Sequence, residues 1–152
     1  MRIEQKVTVD APRHLVWEYV TEPANYPVFM DGLTRWDVAG DRHTGLGARY
    51  RMLLRVGAAD VGGLIEIVEW QPDGDMAWSS VTGVDQRGRW RLRELPGGRT
   101  RITFRFAAGV AGAGIFGLIA ERVAAGPLRR RFHQSLLNVK RAVEERRAAV
   151  TS

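Results

Sequence analysis

The side chains best able to do metal or acid–base chemistry are scattered. The three histidines, His14, His43 and His133, fall on three different segments with no metal-ligand spacing, so no metal site is expected. There is no cysteine, which removes disulfides, thiol nucleophiles and thiolate-bound metals. No nucleophile elbow, P-loop or dinucleotide fingerprint occurs. What the chain does carry is a set of large side chains that pair an apolar body with a polar tip. Trp36, Tyr50, Trp78 and Trp90 are the main ones, and that type of side chain suits the lining of a pocket for an apolar molecule. The plainer reading is that they fill a core to ordinary density.

Such residues need elements to hold them. The last stretch, roughly 112–147, is the one segment long and periodic enough to form a major helix. Its first half places Ile115, Phe116, Ile119 and Val123 on one side; its second half places Leu128, Phe132, Leu136, Val139 and Val143 on one side. At about 100° per residue the two stripes differ in phase, and the break falls at Gly126-Pro127. Pro127 lacks an amide hydrogen and crowds the carbonyl of Val123, so a kink is expected there. The tail at 148–152 is expected to fray.

The remainder reads as strands. Residues 2–9 alternate, with Ile3, Val7 and Val9 on one side and Arg2, Glu4 and Lys6 on the other. Asp10-Ala11-Pro12 then opens a helix, with Asp10 as its expected N-cap and Leu15, Val16, Tyr19 and Val20 as its apolar side. A second short helical piece covers 22–30. Strands are expected at 33–38, 48–56, 61–70, 76–81, 87–95 and 99–107, separated by glycine- and proline-bearing turns such as Pro96-Gly97-Gly98. The inner face of 61–70 is ambiguous, because both of its faces are apolar. Seven strands with short turns make an antiparallel meander, and the long helix must cover its apolar side.

Length and charge set outer bounds. The chain has 152 residues, enough for one domain with a real core, taken as residues 1–147. No run approaches the ~20 apolar residues of a membrane span, and no apolar signal region opens the chain, so a cytoplasmic protein is expected. The net charge of +6 is carried mostly by arginine. Arg49, Arg51, Arg55, Arg87, Arg89, Arg91, Arg93, Arg101 and Arg105 form a comb on the polar side of the sheet. The plain reading is a solvated face partly paired with Glu66, Glu69 or Glu94; the sharper one is transient docking to an anionic membrane. Nucleic acid is not expected, since the aromatics lie on the opposite face and offer no stacking platform among the charges.

Several motifs carry a family likeness. They are Val7-Thr8-Val9-Asp10-Ala11-Pro12 with Val16-Trp17, then Glu22-Pro23-Ala24-Asn25-Tyr26-Pro27-Val28-Phe29, Gly97-Gly98-Arg99-Thr100-Arg101-Ile102, and Leu137-Asn138-Val139-Lys140 with Glu144. With the order strand, two short helices, six strands, long helix, the chain resembles the START / Bet v 1-like (SRPBCC) superfamily, within it the polyketide cyclase/dehydrase and lipid-transport group. The Tyr-Pro-x-Phe portion also resembles the quinone-binding branch. The likeness implies an α+β helix-grip fold, a seven-stranded curved antiparallel sheet gripping a long kinked C-terminal helix, with a deep cavity between them.

That cavity would hold a hydrophobic small molecule such as a lipid, quinone or polyketide-like compound, carried or sequestered without a cofactor. Its expected lining is Tyr26 and Phe29 from the second helical piece, Trp36, Tyr50, Met52 and Leu54 from the early strands, and Trp78, Trp90, Phe104 and Phe106 from the later ones. Phe116, Ile119 and Phe132 complete it from the long helix. The group also includes aromatase/cyclases, whose chemistry needs a side chain placed to polarise a carbonyl or move a proton. Tyr50, Tyr26, Glu66 and, more weakly, Arg35 are the candidates, and a pocket with one or two lone polar groups suits binding better than catalysis. A protein-interaction or toxin-type module with an incidental cavity is the third reading.

Overall fold

Period-two alternation becomes one sheet of seven strands. The computed structural model describes residues 1–109 and 114–151, with side chains described through 109 and again from 125. The strands are β1 (Arg2–Val9), β2 (Leu33–Ala39), β3 (Arg49–Val56), β4 (Ala59–Gln71), β5 (Asp75–Ser80), β6 (Asp85–Leu95) and β7 (Arg99–Gly109). They lie in the order β1-β7-β6-β5-β4-β3-β2, each pair antiparallel. Thus β2 to β7 form a meander and β1 adds to its far edge. Between β1 and β2 run α1 (Arg13–Thr21), a 3-10 turn (Pro23–Asn25) and α2 (Tyr26–Phe29); α3 (Gly114–Thr151) closes the chain. This is the helix-grip arrangement.

Local chemistry explains the joints. Gly97 and Gly98 take φ values of 84° and 71°, which glycine adopts freely, and this lets β6 turn tightly into β7. α1 begins after Pro12, with no side-chain cap bond. Asp10, expected as that cap, is used elsewhere: Arg147 Nη1 donates to its carboxylate at 2.9 Å and to its carbonyl at 2.8 Å, tying β1 to the end of α3. The helix runs to Thr151 with Pro127 inside it.

The apolar stripe of α3 forms as its spacing predicts: Leu128, Phe132, Leu136, Val139 and Val143 are all buried. Polar bonds flank that stripe. Asn138 Nδ2 donates to the Phe29 carbonyl at 3.0 Å, Lys140 Nζ to the Thr8 carbonyl at 3.1 Å, and the Asp31 amide to Ser135 Oγ at 2.8 Å. The C-terminal part of α3 is therefore fixed to α2, to β1 and to the link between α2 and β2.

The ambiguous strand resolves through a bulge. Ile65 and Ile67 point inward, and the register slips between Ile67 and Glu69. The slip leaves Val68 half exposed and returns Trp70 to the core, against the Trp17 ring at 4.9 Å. Apolar residues on both faces of the sequence are thus one inner face with a one-residue phase change.

Candidate functional site

The inner wall of the sheet is a continuous net of rings. Trp36 on β2 stacks on Tyr26 of α2 at 4.0 Å and 1°, and on Tyr50 of β3 at 5.0 Å. It meets Trp78 of β5 edge-on at 6.3 Å. Phe104 of β7 contacts Trp78 at 5.8 Å, Trp90 at 4.6 Å and Phe132 of α3 at 5.2 Å; Phe106 reaches Phe132 at 5.0 Å. Strand alternation places these rings on one face, and the Leu128-to-Val143 stripe lays α3 over them.

Between the sheet and α3 lies a small apolar void. Trp36, Met52, Leu54, Trp78, Phe104, Phe106 and Phe132 line it, joined by Met30 and Leu33. Its volume is about 10 Å³, room for roughly one water, so a larger guest must displace side chains. Seven of the residues expected to line a cavity thus meet around one space. Tyr26, Phe29, Tyr50 and Trp90 are buried in the core behind it and do not border it. Phe116 and Ile119 lie outside the described residues. Met30 and Leu33 were not among the expected lining, although Met30 ends the unusually apolar link 26–30.

Three buried polar atoms on this wall have no hydrogen-bond partner among the described residues: Trp36 Nε1, Trp78 Nε1 and Gln86 Oε1. Gln86 is 3% exposed and shares strand parity with the inward Trp90 and Leu92. Its amide Nε2 lies 3.1 Å from the Met52 sulfur, a weak acceptor. Trp78 sits across Gly88 on the neighbouring strand; a Cβ at Gly88 would come within 2.1 Å of the indole ring. A side chain at 88 would evict the ring. An unmatched buried polar group costs about 1–3 kcal/mol. Sequence reasoning missed Gln86 because the strand was expected to start one residue later, at 87. Its parity with Trp90 was the available signal.

The residues considered for proton chemistry are committed elsewhere. Tyr50 Oη donates to the His43 carbonyl at 2.7 Å, and burial pushes its hydroxyl up from the usual range. Tyr26 Oη accepts from Trp90 Nε1 at 3.1 Å, and full burial raises its pKa far above that of a free phenol. Both stay protonated at neutral pH. Glu66 pairs with Arg49 at 2.8 Å on the outer face, and Arg35 pairs with Asp37 in solvent. His14 and His133 are exposed, and exposed His43 lies 3.0 Å from Glu22. Among the described residues, no cluster of three or more His, Cys, Asp or Glu could hold a metal.

The outer face is organised by ion pairs. Asp75 is 5% exposed and receives Arg93 at 2.7 Å, Arg89 at 3.0 Å and Arg91 at 3.4 Å. Burial alone would raise its pKa, but the hydrogen bonds and charges of these guanidinium groups outweigh that and hold the carboxyl below the ordinary range. Arg89 also pairs with Glu69, Arg55 with Asp60 and Arg105 with Glu4. Arg2, Arg51, Arg87 and Arg101 make no ion pair among the described residues, and neither does Glu94. A shallow groove of about 810 Å³ crosses this face, with Arg2, Glu4, Val68, Ser79, Arg87 and Arg105 along it. Among the described residues no helix is long and apolar enough to cross a membrane.

Comparison with known proteins matches this geometry. A family model described as polyketide cyclase / dehydrase and lipid transport matches residues 1–144. No curated protein matches the chain in sequence. A protein of Thermus thermophilus superposes with a TM-score of 0.81 at 17% identity, covering 100% of both chains. The ZhuI aromatase/cyclase of Streptomyces sp. R1128 gives a TM-score of 0.77 at 22% identity, over 96% of this chain and 94% of that one. A START superfamily protein of Mycobacterium smegmatis gives 0.74 at 13% identity, over 95% and 97%. At these identities the likeness to solved structures is one of fold alone.

Proposed function

The chain belongs to the polyketide cyclase/dehydrase and lipid transport family, and from that membership we propose that it binds a hydrophobic small molecule between sheet and α3 and carries or sequesters it. The ligand class is a lipid, a quinone or a polyketide-like compound. One observation carries this reading: seven apolar and aromatic side chains from four strands and α3 converge on a single internal void. The void is small as it stands. Met30 and Met52 on its wall are unbranched and adaptable, and their rearrangement is the least costly way to enlarge it.

Catalysis by the same interior is the second reading, favoured by the likeness to the Streptomyces aromatase/cyclase. Against it stands the Tyr50 hydroxyl, whose proton is donated to a backbone carbonyl. Under the carrier reading, Tyr50→Phe leaves ligand affinity within about twofold, whereas a cyclase depending on that hydroxyl loses turnover of a poly-β-ketone substrate.

The deciding experiment has two steps. Native mass spectrometry of the purified protein, followed by solvent extraction, is expected to release a discrete apolar adduct. The protein is then titrated with palmitate, a naphthoquinone and a hydroxyanthraquinone while tryptophan emission is followed. A clean mass together with no response to any of the three would overturn the carrier reading.

A further inference from the structure

Independently of what the interior holds, we infer that the outer groove is a binding site for a phosphate monoester, held between Arg2 and Arg87. Both side chains line the groove, one from β1 and one from β6, and both are exposed. Register puts them in one row across the sheet. Arg2 faces Ala107, Ala107 faces Arg87, and Arg87 faces Ser79. Strands lie roughly 4.8 Å apart, so the two arginine Cα atoms stand about 10 Å from each other. Only the methyl group of Ala107 lies between them, and two side chains of that length can converge over it on one anion.

The neighbouring row of the same groove is built differently. There Arg105 pairs with Glu4 at 3.1 Å, and Arg89 pairs with Glu69 at 2.5 Å and Asp75 at 3.0 Å. In the row of Arg2 and Arg87 the one carboxylate is Glu66, beyond Ser79, and Arg49 holds it at 2.8 Å. Asp85, two residues along β6 from Arg87, accepts from Ser80 Oγ at 3.3 Å. Arg2 and Arg87 themselves make no ion pair among the described residues. Water would satisfy either guanidinium singly. Two of them in one groove repel each other, and a bound anion offsets that repulsion. Four arginines line the groove against one glutamate.

The groove also narrows the anion. A guanidinium presents a planar fork that matches two oxygens of one phosphoryl group. Two forks match a doubly charged phosphate monoester better than a singly charged carboxylate. Ser79 adds a hydroxyl on the same row. Half-exposed Val68 gives an apolar rim for the carbon part of the ester. The volume of about 810 Å³ suits a small molecule or a lipid head group. Nucleic acid fits poorly, since the rings at the groove, Trp78 and Phe106, are buried and offer no stacking surface.

The test uses the full chain near physiological ionic strength, where loose attraction between exposed charges is screened. One arm titrates glycerol 3-phosphate and follows the backbone amide signals of Ala107 and Ser79, which are expected to move. The other follows sedimentation with phosphatidylcholine vesicles containing phosphatidate. Arg2→Gln and Arg87→Gln are each expected to weaken binding by about fivefold or more. Arg101→Gln removes the same charge from an arginine outside the groove and is expected to change binding by less than about twofold. All three side chains are exposed, so melting temperatures should stay at the wild-type value. Saturation by glycerol 3-phosphate assigns a soluble monoester; binding to the vesicles alone assigns a lipid head group. Absence of binding in both arms would overturn the inference, and so would an equal loss from Arg101→Gln. Tighter binding of an oligoglutamate peptide than of either phosphate probe would assign an acidic protein partner and overturn it too. None of these outcomes bears on the carrier reading, which the adduct and the apolar titrations test.

Discussion

The two faces of one sheet handle polar groups in opposite ways. Outside, Asp75 gathers three guanidinium groups, and Arg49, Arg55 and Arg105 each hold a carboxylate. Any arginine left over is hydrated and costs little. Inside, the rings pack on one another, Trp90 finds the Tyr26 hydroxyl, and three polar atoms have no partner among the described residues. Water completes unmatched groups freely on the wet face, whereas the void inside has room for about one molecule. An unpaired polar atom therefore means little outside and a great deal inside. That contrast is why the proposed apolar ligand belongs with the inner wall and not with the nine arginines of the comb.

The contrast can be broken first through α3. Phe132 is 2% exposed and touches both Phe104 and Phe106, so Phe132→Ala is expected to cost about 3–5 kcal/mol in urea unfolding. An effect under about 1 kcal/mol would mean that the inner face is not the packed one.

Asp75 tests the outer face at its most ordered point. Asp75→Asn is expected to cost about 1–3 kcal/mol near neutral pH, since three guanidinium groups lose their shared anion. The carboxyl's folded pKa lies below its usual value of 3.8, so its contribution is complete above that value and lost as pH falls through the folded pKa. Denaturation curves of variant and wild type should therefore converge under acid conditions below 3.8 and separate above them. A gap that persisted in acid would assign the effect to packing.

The smallest effects separate paired from unpaired arginines. Arg105→Gln, which breaks the Glu4 pair, should change stability by no more than about 1 kcal/mol. Arg2→Gln and Arg87→Gln should each weaken adsorption to phosphatidylserine vesicles at low salt by about 1 kcal/mol, roughly fivefold. Equal adsorption by all three variants would reduce the outer face to a solvated surface.

Legibility in the sequence followed the physics of each feature. Period-two and helical patterns are local, so the seven strands and the Leu128-to-Val143 stripe were readable. The inner face of β4 was not, because the bulge at Val68 shifts the phase inside the strand. Asp10 looks like a cap from its neighbours, but a guanidinium more than a hundred residues away in sequence claims it. Of the proposed lining, Met52 and Phe104 sit at the void while Tyr26 and Trp90 back it. The choice between those places depends on how rings from different strands stack, and no single strand encodes that. Gln86 was hidden by a two-residue error in a strand boundary, where so small a shift decides whether a residue belongs to the strand at all.

The indole protons give this wall a spectroscopic signature. The chain has five tryptophans. One of them, Trp90, donates to a phenolic oxygen at 3.1 Å, while Trp36 and Trp78 hold theirs buried with no partner among the described residues. In a nitrogen–proton correlation spectrum, that pair should resonate upfield of Trp90 and exchange slowly with solvent. Any oxygen arriving at the wall would draw those two signals downfield and leave the third in place, so the protein reports the chemistry of its guest with no label beyond the nitrogen isotope.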